Sequence, residues 1–140
     1  MILAIDPGSE KTGVALVEED GSLTEKHIIP TATLRDYLTT AYTSHPFSDI
    51  VMGNGTNHKH LQPVAEQWIA TQQTARPVRF QLVDEKFTTV EGRKLYFQYT
   101  PRHGWRRWIP VSWQYPPEPV DDFVAWIIGR RFLKQRGALE

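Results

Sequence analysis

Hydrophobic positions change period along this chain, and the changes mark out its elements. Ile2-Leu3-Ala4-Ile5 is a continuous apolar run halted by Asp6-Pro7-Gly8, the pattern of a buried strand running into a turn. Gly13-Val14-Ala15-Leu16-Val17 is a second such run, closed by Asp20-Gly21, so the two predict a hairpin. Residues 23–29 alternate more weakly and carry charge, as an outer strand would. The period then turns helical at Leu34, Tyr37, Leu38, Ala41 and Tyr42, with Thr33 as the expected cap and Asp36 three residues on.

Ile50-Val51-Met52 is again a buried strand, ended by Gly53-Asn54-Gly55-Thr56. Leu61, Val64, Ala65, Trp68 and Ile69 form a second helical stripe, in which Pro63 is acceptable in the first turn. Residues 80–83 make a strand stopped at Asp84-Glu85. A helix over about 89–98 and a last one over about 120–135 complete the order β-β-β-α-β-α-β-α-α. Three leading antiparallel strands followed by strand–helix alternation predict an α/β fold: a five-stranded mixed sheet, its later strands parallel, with helices on both faces. Ligand sites in such sheets lie beyond the carboxyl ends of the parallel strands. Asp6, the loop 53–56 and Glu85 all fall at such ends.

The chain has 140 residues, which predicts a single domain over 1–140 with a core of its own. There is no cysteine, which excludes disulfides and thiolate metal sites. No apolar run is long enough to span a bilayer, so no membrane partner is expected. The start of the chain lacks the pattern of a signal peptide, and a cytoplasmic location is the expectation. Net charge is formally zero, which speaks against coating nucleic acid by bulk electrostatics. The charge is nonetheless patterned. Residues 102–107 hold three arginines and a histidine without an acid, and residues 130–136 hold four more cations. Those of the tail have the plain reading of a solvated helix end whose cations suit the dipole.

Three acids carry the candidate chemistry. Asp6 stands at the lip of a buried strand, where a carboxylate needs a partner, hydrogen bonds or a metal. A turn aspartate satisfying backbone amides in Asp-Pro-Gly is an equal reading from spacing alone. Glu85 has the same context after its strand, against the plain reading of a solvated acid near a helix start. Asp121 and Asp122 open the last helix, where acids also serve as caps. Asp121 shares a stripe with Ala125, Ile128 and Phe132, whereas Asp122 shares one with Trp126 and is expected to point away. Carboxylates gathered at one point repel unless a cation neutralises them, and hard oxygen donors favour Mg²⁺ or Mn²⁺. A pair of such ions can activate water against a phosphodiester.

Four blocks then carry a resemblance. They are Met-Ile-Leu-Ala-Ile-Asp-Pro-Gly-Ser-Glu-Lys-Thr-Gly-Val-Ala, Gly-Asn-Gly-Thr, Val-Asp-Glu-Lys-Phe-Thr-Thr-Val-Glu-Gly-Arg and Pro-Val-Asp-Asp-Phe-Val-Ala-Trp-Ile-Ile. In this order, over nearly the whole chain, they resemble the YqgF-type branch of RuvC-like proteins. That branch comprises RNase-H-like Holliday junction resolvases, also described as pre-16S rRNA nucleases. The resemblance implies an RNase-H-like fold and a metal-dependent endonuclease with Asp6, Glu85 and Asp121 as metal-binding acids. It also implies that Lys11, Gly55, Thr56, Thr88 and Thr89 line the site or approach the phosphate backbone. Lys86 and Arg93 join them as candidate nucleic-acid contacts, and Gly8 and Gly13 would give backbone room.

Residues 99–119 depart from the shorter basic loop of better-known members and look similar to a divergent subgroup. Arg102, His103, Arg106 and Arg107 interleave there with Trp105, Trp108 and Trp113. Two readings stand: a grip on single strands by arginines and stacking aromatics, or a Pro-rich cover packing on the sheet or a partner subunit.

The expectation is therefore a nuclease acting on RNA or branched DNA, either a junction resolvase or a processor of ribosomal RNA precursor. Symmetric junction cleavage calls for a two-fold homodimer. The alternative is a catalytically silent nucleic-acid-binding module of the same fold. A third class is an actin-like or sugar-kinase phosphotransferase, because Asp-x-Gly-x-x-x-x-Gly after a first strand also resembles their phosphate loop. Those proteins need two such domains, and this chain is expected to have one.

Overall fold

Strand formation follows the apolar runs. In the computed structural model, which describes residues 1–55, 57–72, 77–84, 121–135 and 137, the runs become β1 (Ile2–Asp6), β2 (Lys11–Val17) and β3 (Leu23–Pro30). A 3-10 turn at Thr31–Thr33 leads into α1 (Leu34–Ser44), β4 (Asp49–Gly53), α2 (His58–Thr71), β5 (Arg79–Val83) and α3 (Asp121–Gln135). The helix expected at 89–98 and the loop 99–119 lie outside the described residues.

One five-stranded mixed sheet results, in the order β3-β2-β1-β4-β5. β1 pairs antiparallel with β2 and parallel with β4, β2 pairs antiparallel with β3, and β4 pairs parallel with β5. The weakly alternating β3 is an outer strand, as its pattern predicted.

Alternation along the strands sorts side chains onto two faces. Leu3, Ile5, Val14, Leu16, Ile50 and Met52 meet Leu34, Leu38 and Ala41 of α1 and Leu61, Ala65 and Trp68 of α2. Ile2, Ala4, Ala15, Val17, Val51 and Val83 meet Val124, Ala125, Trp126, Ile128 and Leu133 of α3. Helices therefore cover both faces. Each fully buried Leu, Ile or Val contributes about 1.5–3 kcal/mol relative to exposure, and β1, β2 and β4, buried along nearly their whole length, carry most of this stabilisation.

Two local expectations are corrected. Thr33 occupies the N-cap of α1, but its hydroxyl donates to Pro30 O (2.7 Å) and caps nothing. The preceding 3-10 turn leads directly into the helix, with Leu34 N–H donating to Thr31 O. Pro63 lies within α2 and beyond its first turn, because the helix starts at His58, before the apolar stripe. Pro63 has no N–H for the carbonyl one turn earlier, and both it and Lys59 are exposed, where water can serve that carbonyl.

Among the described residues, no helix is long and apolar enough to cross a membrane.

Candidate active site at the carboxyl ends of the parallel strands

β1, β4 and β5 run parallel, so their last residues finish at one end of the sheet. The register sets Ile5 beside Met52 and Met52 beside Leu82, which brings Asp6, Gly53 and Val83 to one level. Asp6 shares strand parity with Ile2 and Ala4, and so lies on the face that α3 covers. Its direct partner across the β1–β2 pair is Gly13. Cross-strand partners share a face, and glycine contributes no side chain there, so the place beside the half-buried Asp6 is left clear from that side.

The turn after Asp6 is held by two threonines. Thr31 Oγ1 donates to Gly8 O at 2.9 Å. With that proton used, Thr12 Oγ1 donates to Thr31 Oγ1 (2.8 Å) and accepts the Gly8 N–H (3.4 Å). Thr31 N–H adds a bond to Glu10 O at 2.8 Å. Thr12 is fully buried. Gly8 is demanded by space: a Cβ there would lie far inside contact of the Lys11 carbonyl oxygen. Reading the sequence singled out Gly8 but neither threonine, because their partners lie up to 23 residues away.

The other sequence-predicted residues fall as follows. Lys11 opens β2, exposed and on the same face as Asp6 and Gly13. Gly55 follows β4, and its carbonyl accepts both His58 N–H (3.1 Å) and His58 Nδ1–H (2.6 Å), which ties the loop to the first turn of α2. Asn54 N–H donates to Val83 O at 2.9 Å and extends the β4–β5 ladder past the strand end. Thr56, Glu85, Lys86, Thr88, Thr89, Arg93, Arg102, Arg106 and Arg107 lie outside the described residues.

Asp121 is the first residue of α3, and the direction of that helix decides its place. Trp126 Nε1 donates to Gly21 O (2.9 Å), in the β2–β3 turn at the end of the sheet opposite Asp6. Five residues on, Arg131 donates to Asp84 O (2.7 Å), just past β5 at the Asp6 end. The helix thus advances toward the Asp6 end and starts from the other. The side chains of Asp121 and Asp122 lie outside the described ones, and with them the convergence of Asp121 on Asp6 expected from the sequence. The stripe through Ala125 and Ile128 does face the sheet, but Trp126 is buried too.

Among the described residues, no group of three His, Asp or Glu side chains is placed to hold a metal ion. Glu85 and the side chain of Asp121 lie outside the described part of the chain.

No protein-family model matches the chain, and no curated protein matches it. Among solved structures, one of a "putative sugar kinase" from Cytophaga hutchinsonii ATCC 33406 aligns with a TM-score of 0.45 and 13% identity. The alignment covers 69% of this chain and 39% of that one, so the chain spans well under half the length of the structure it matches. A likeness at that level bears on neither fold nor activity.

Proposed function

We propose that the chain is an RNase-H-like, metal-dependent endonuclease that hydrolyses phosphodiester bonds in structured nucleic acid, RNA or branched DNA. The observation that carries the reading is Asp6, a carboxylate at the carboxyl end of the central strand β1, opposite a glycine and beside a turn locked by Thr12 and Thr31. A lone turn aspartate would need neither the cleared place across the strand nor the clamp. Three antiparallel strands followed by parallel ones, with helices on both faces, agree with the fold that the resemblance implied.

Mg²⁺ or Mn²⁺ belongs to the proposal, with Asp6 as its described ligand and Glu85, directly after Asp84 at the next parallel strand end, as the second. Cleavage of a labelled four-way junction and of a structured precursor RNA, each with Mg²⁺ or Mn²⁺, tests it. The expected result is cutting of one substrate, lost in Asp6→Asn with binding retained. Junction cutting further requires a two-fold homodimer. Failure to cut either substrate, or full activity of Asp6→Asn, would sink the proposal.

The direction of α3 favours a second reading, a nucleic-acid-binding module without catalysis. Binding of both substrates with no cutting in any divalent metal selects it. Asp121→Asn sharpens the choice. A loss of cutting equal to that of Asp6→Asn requires the helix start to approach Asp6.

A further inference from the structure

The direction of α3 carries its cationic half, rather than its acidic start, to the end of the sheet where Asp6 stands. Arg131 is bonded to the backbone just past β5, and Lys134 follows one turn later on the same side of the helix, exposed. Gly137, with φ +82°, ends the helix by donating to Lys134 O at 3.1 Å. Lys134 thus sits in the last turn at this end of the sheet. On the other side of Asp6, Lys11 projects from the start of β2, on the face that α3 covers. Between them lie the ends of β1, β4 and β5. Adjacent strands are about 4.8 Å apart, so β2 and β5 stand roughly 14 Å apart across the sheet. Arg130 belongs elsewhere: its guanidinium lies over the Trp126 ring, 5.9 Å from the centroid, folded back along the helix.

We infer that Lys134, held at the sheet end by the Arg131 anchor, forms with Lys11 a two-sided basic rim that grips a phosphodiester backbone crossing the strand ends over Asp6. The inference rests on the proposed nucleic-acid partner and adds the element that holds it. A cation in the last helical turn suits the dipole wherever the helix points. Placement at the same sheet end and face as Lys11 is what gives Lys134 a second role.

The test is salt-dependent binding of a fluorescent four-way DNA junction and of a structured RNA by the full chain, each titrated between 50 and 200 mM salt on the order-of-magnitude logic of counterion release. Losing one phosphate contact flattens the slope of log K against log salt by about 0.9 for duplex DNA and about 0.7 for single strands. Lys134→Gln and Lys11→Gln are each expected to weaken binding several-fold and to flatten the slope by about that amount. Arg130→Gln is expected to leave both unchanged. The junction and RNA arms show which backbone is held. An unchanged slope in Lys134→Gln alongside a reduced one in Lys11→Gln overturns the rim while leaving a nucleic-acid partner in place. Absence of binding by the wild-type chain overturns the rim together with the proposed function.

Discussion

Gly8→Ala is the sharpest perturbation of the site that leaves every acid in place. The added methyl would meet the Lys11 carbonyl, with the carbonyl carbon at 3.1 Å and the oxygen much nearer. Carbon–oxygen contacts settle at about 3.3 Å or more, so backbone must move on the order of 1 Å. No side-chain rotation relieves it, because the obstacle is main chain. Overpacking of this kind costs about 1–3 kcal/mol. The shift also strains the Thr31-to-Gly8 bond at 2.9 Å and the weaker Gly8-to-Thr12 bond, roughly another 1 kcal/mol together.

A total of about 2–4 kcal/mol is a large share of the ~5–15 kcal/mol that holds a domain. With a urea slope of roughly 2 kcal/mol/M, the unfolding midpoint should fall by about 1–2 M, followed by tryptophan fluorescence. Thr31→Val is the control, since it removes the clamp without a clash and should lower the midpoint by about half as much. Asp6 lies two residues before Gly8, so cleavage should fall further in Gly8→Ala than in Thr31→Val. A Gly8→Ala midpoint within about 0.3 M of wild type would refute the close-approach argument.

Gly129 is where α3 comes down on the sheet: a Cβ would sit 3.0 Å from Val17 Cγ2 and 3.2 Å from Ala4 Cβ. Gly129→Leu should cost about 3 kcal/mol or more, seen as a lowered thermal midpoint, despite a helix propensity gain of about 1 kcal/mol. Asp49 is buried and held by Arg79 Nε (3.0 Å) and Ser48 Oγ (2.6 Å). Because the Arg79 side chain is itself exposed, Arg79→Ala should cost about 1–3 kcal/mol, less than for a fully buried pair, in urea unfolding at pH 7. Tyr37 OH is buried without a hydrogen-bond partner among the described residues, so Tyr37→Phe should raise the thermal midpoint. Burial first, and the Glu25 charge second, push the Tyr37 phenol up to about 12 from its ordinary 10. The unfolded chain therefore loses this proton first as pH rises, and stability present below pH 10 drains away between pH 10 and 12. Tyr37→Phe should abolish that part of the fall, measured by unfolding at pH 9 and pH 12.

The sequence by itself determined the strands, the helices of the described region and their order. Period and apolar runs are local signals, and β1, β2, β4 and the stripes of the helices bury most of the residues that their pattern marked, whereas Leu82 of β5 is exposed. It also put Asp6 and the loop after Gly53 at the carboxyl ends of their strands, because a strand stopped by Asp-Pro-Gly or Gly-Asn-Gly ends where the chain turns. The tertiary structure alone decided the lateral order β3-β2-β1-β4-β5, the pairing of Asp6 with Gly13, and the clamp of Thr12 and Thr31 on Gly8. It alone decided which way α3 points. Periodicity says which face of a helix is buried, but a stripe reads the same in both directions along a sheet. The direction comes from two long-range bonds, Trp126 to Gly21 and Arg131 to Asp84, whose partners lie 105 and 47 residues away. Through them Lys134, in the last turn of α3, arrives at the end of the sheet where Asp6 stands.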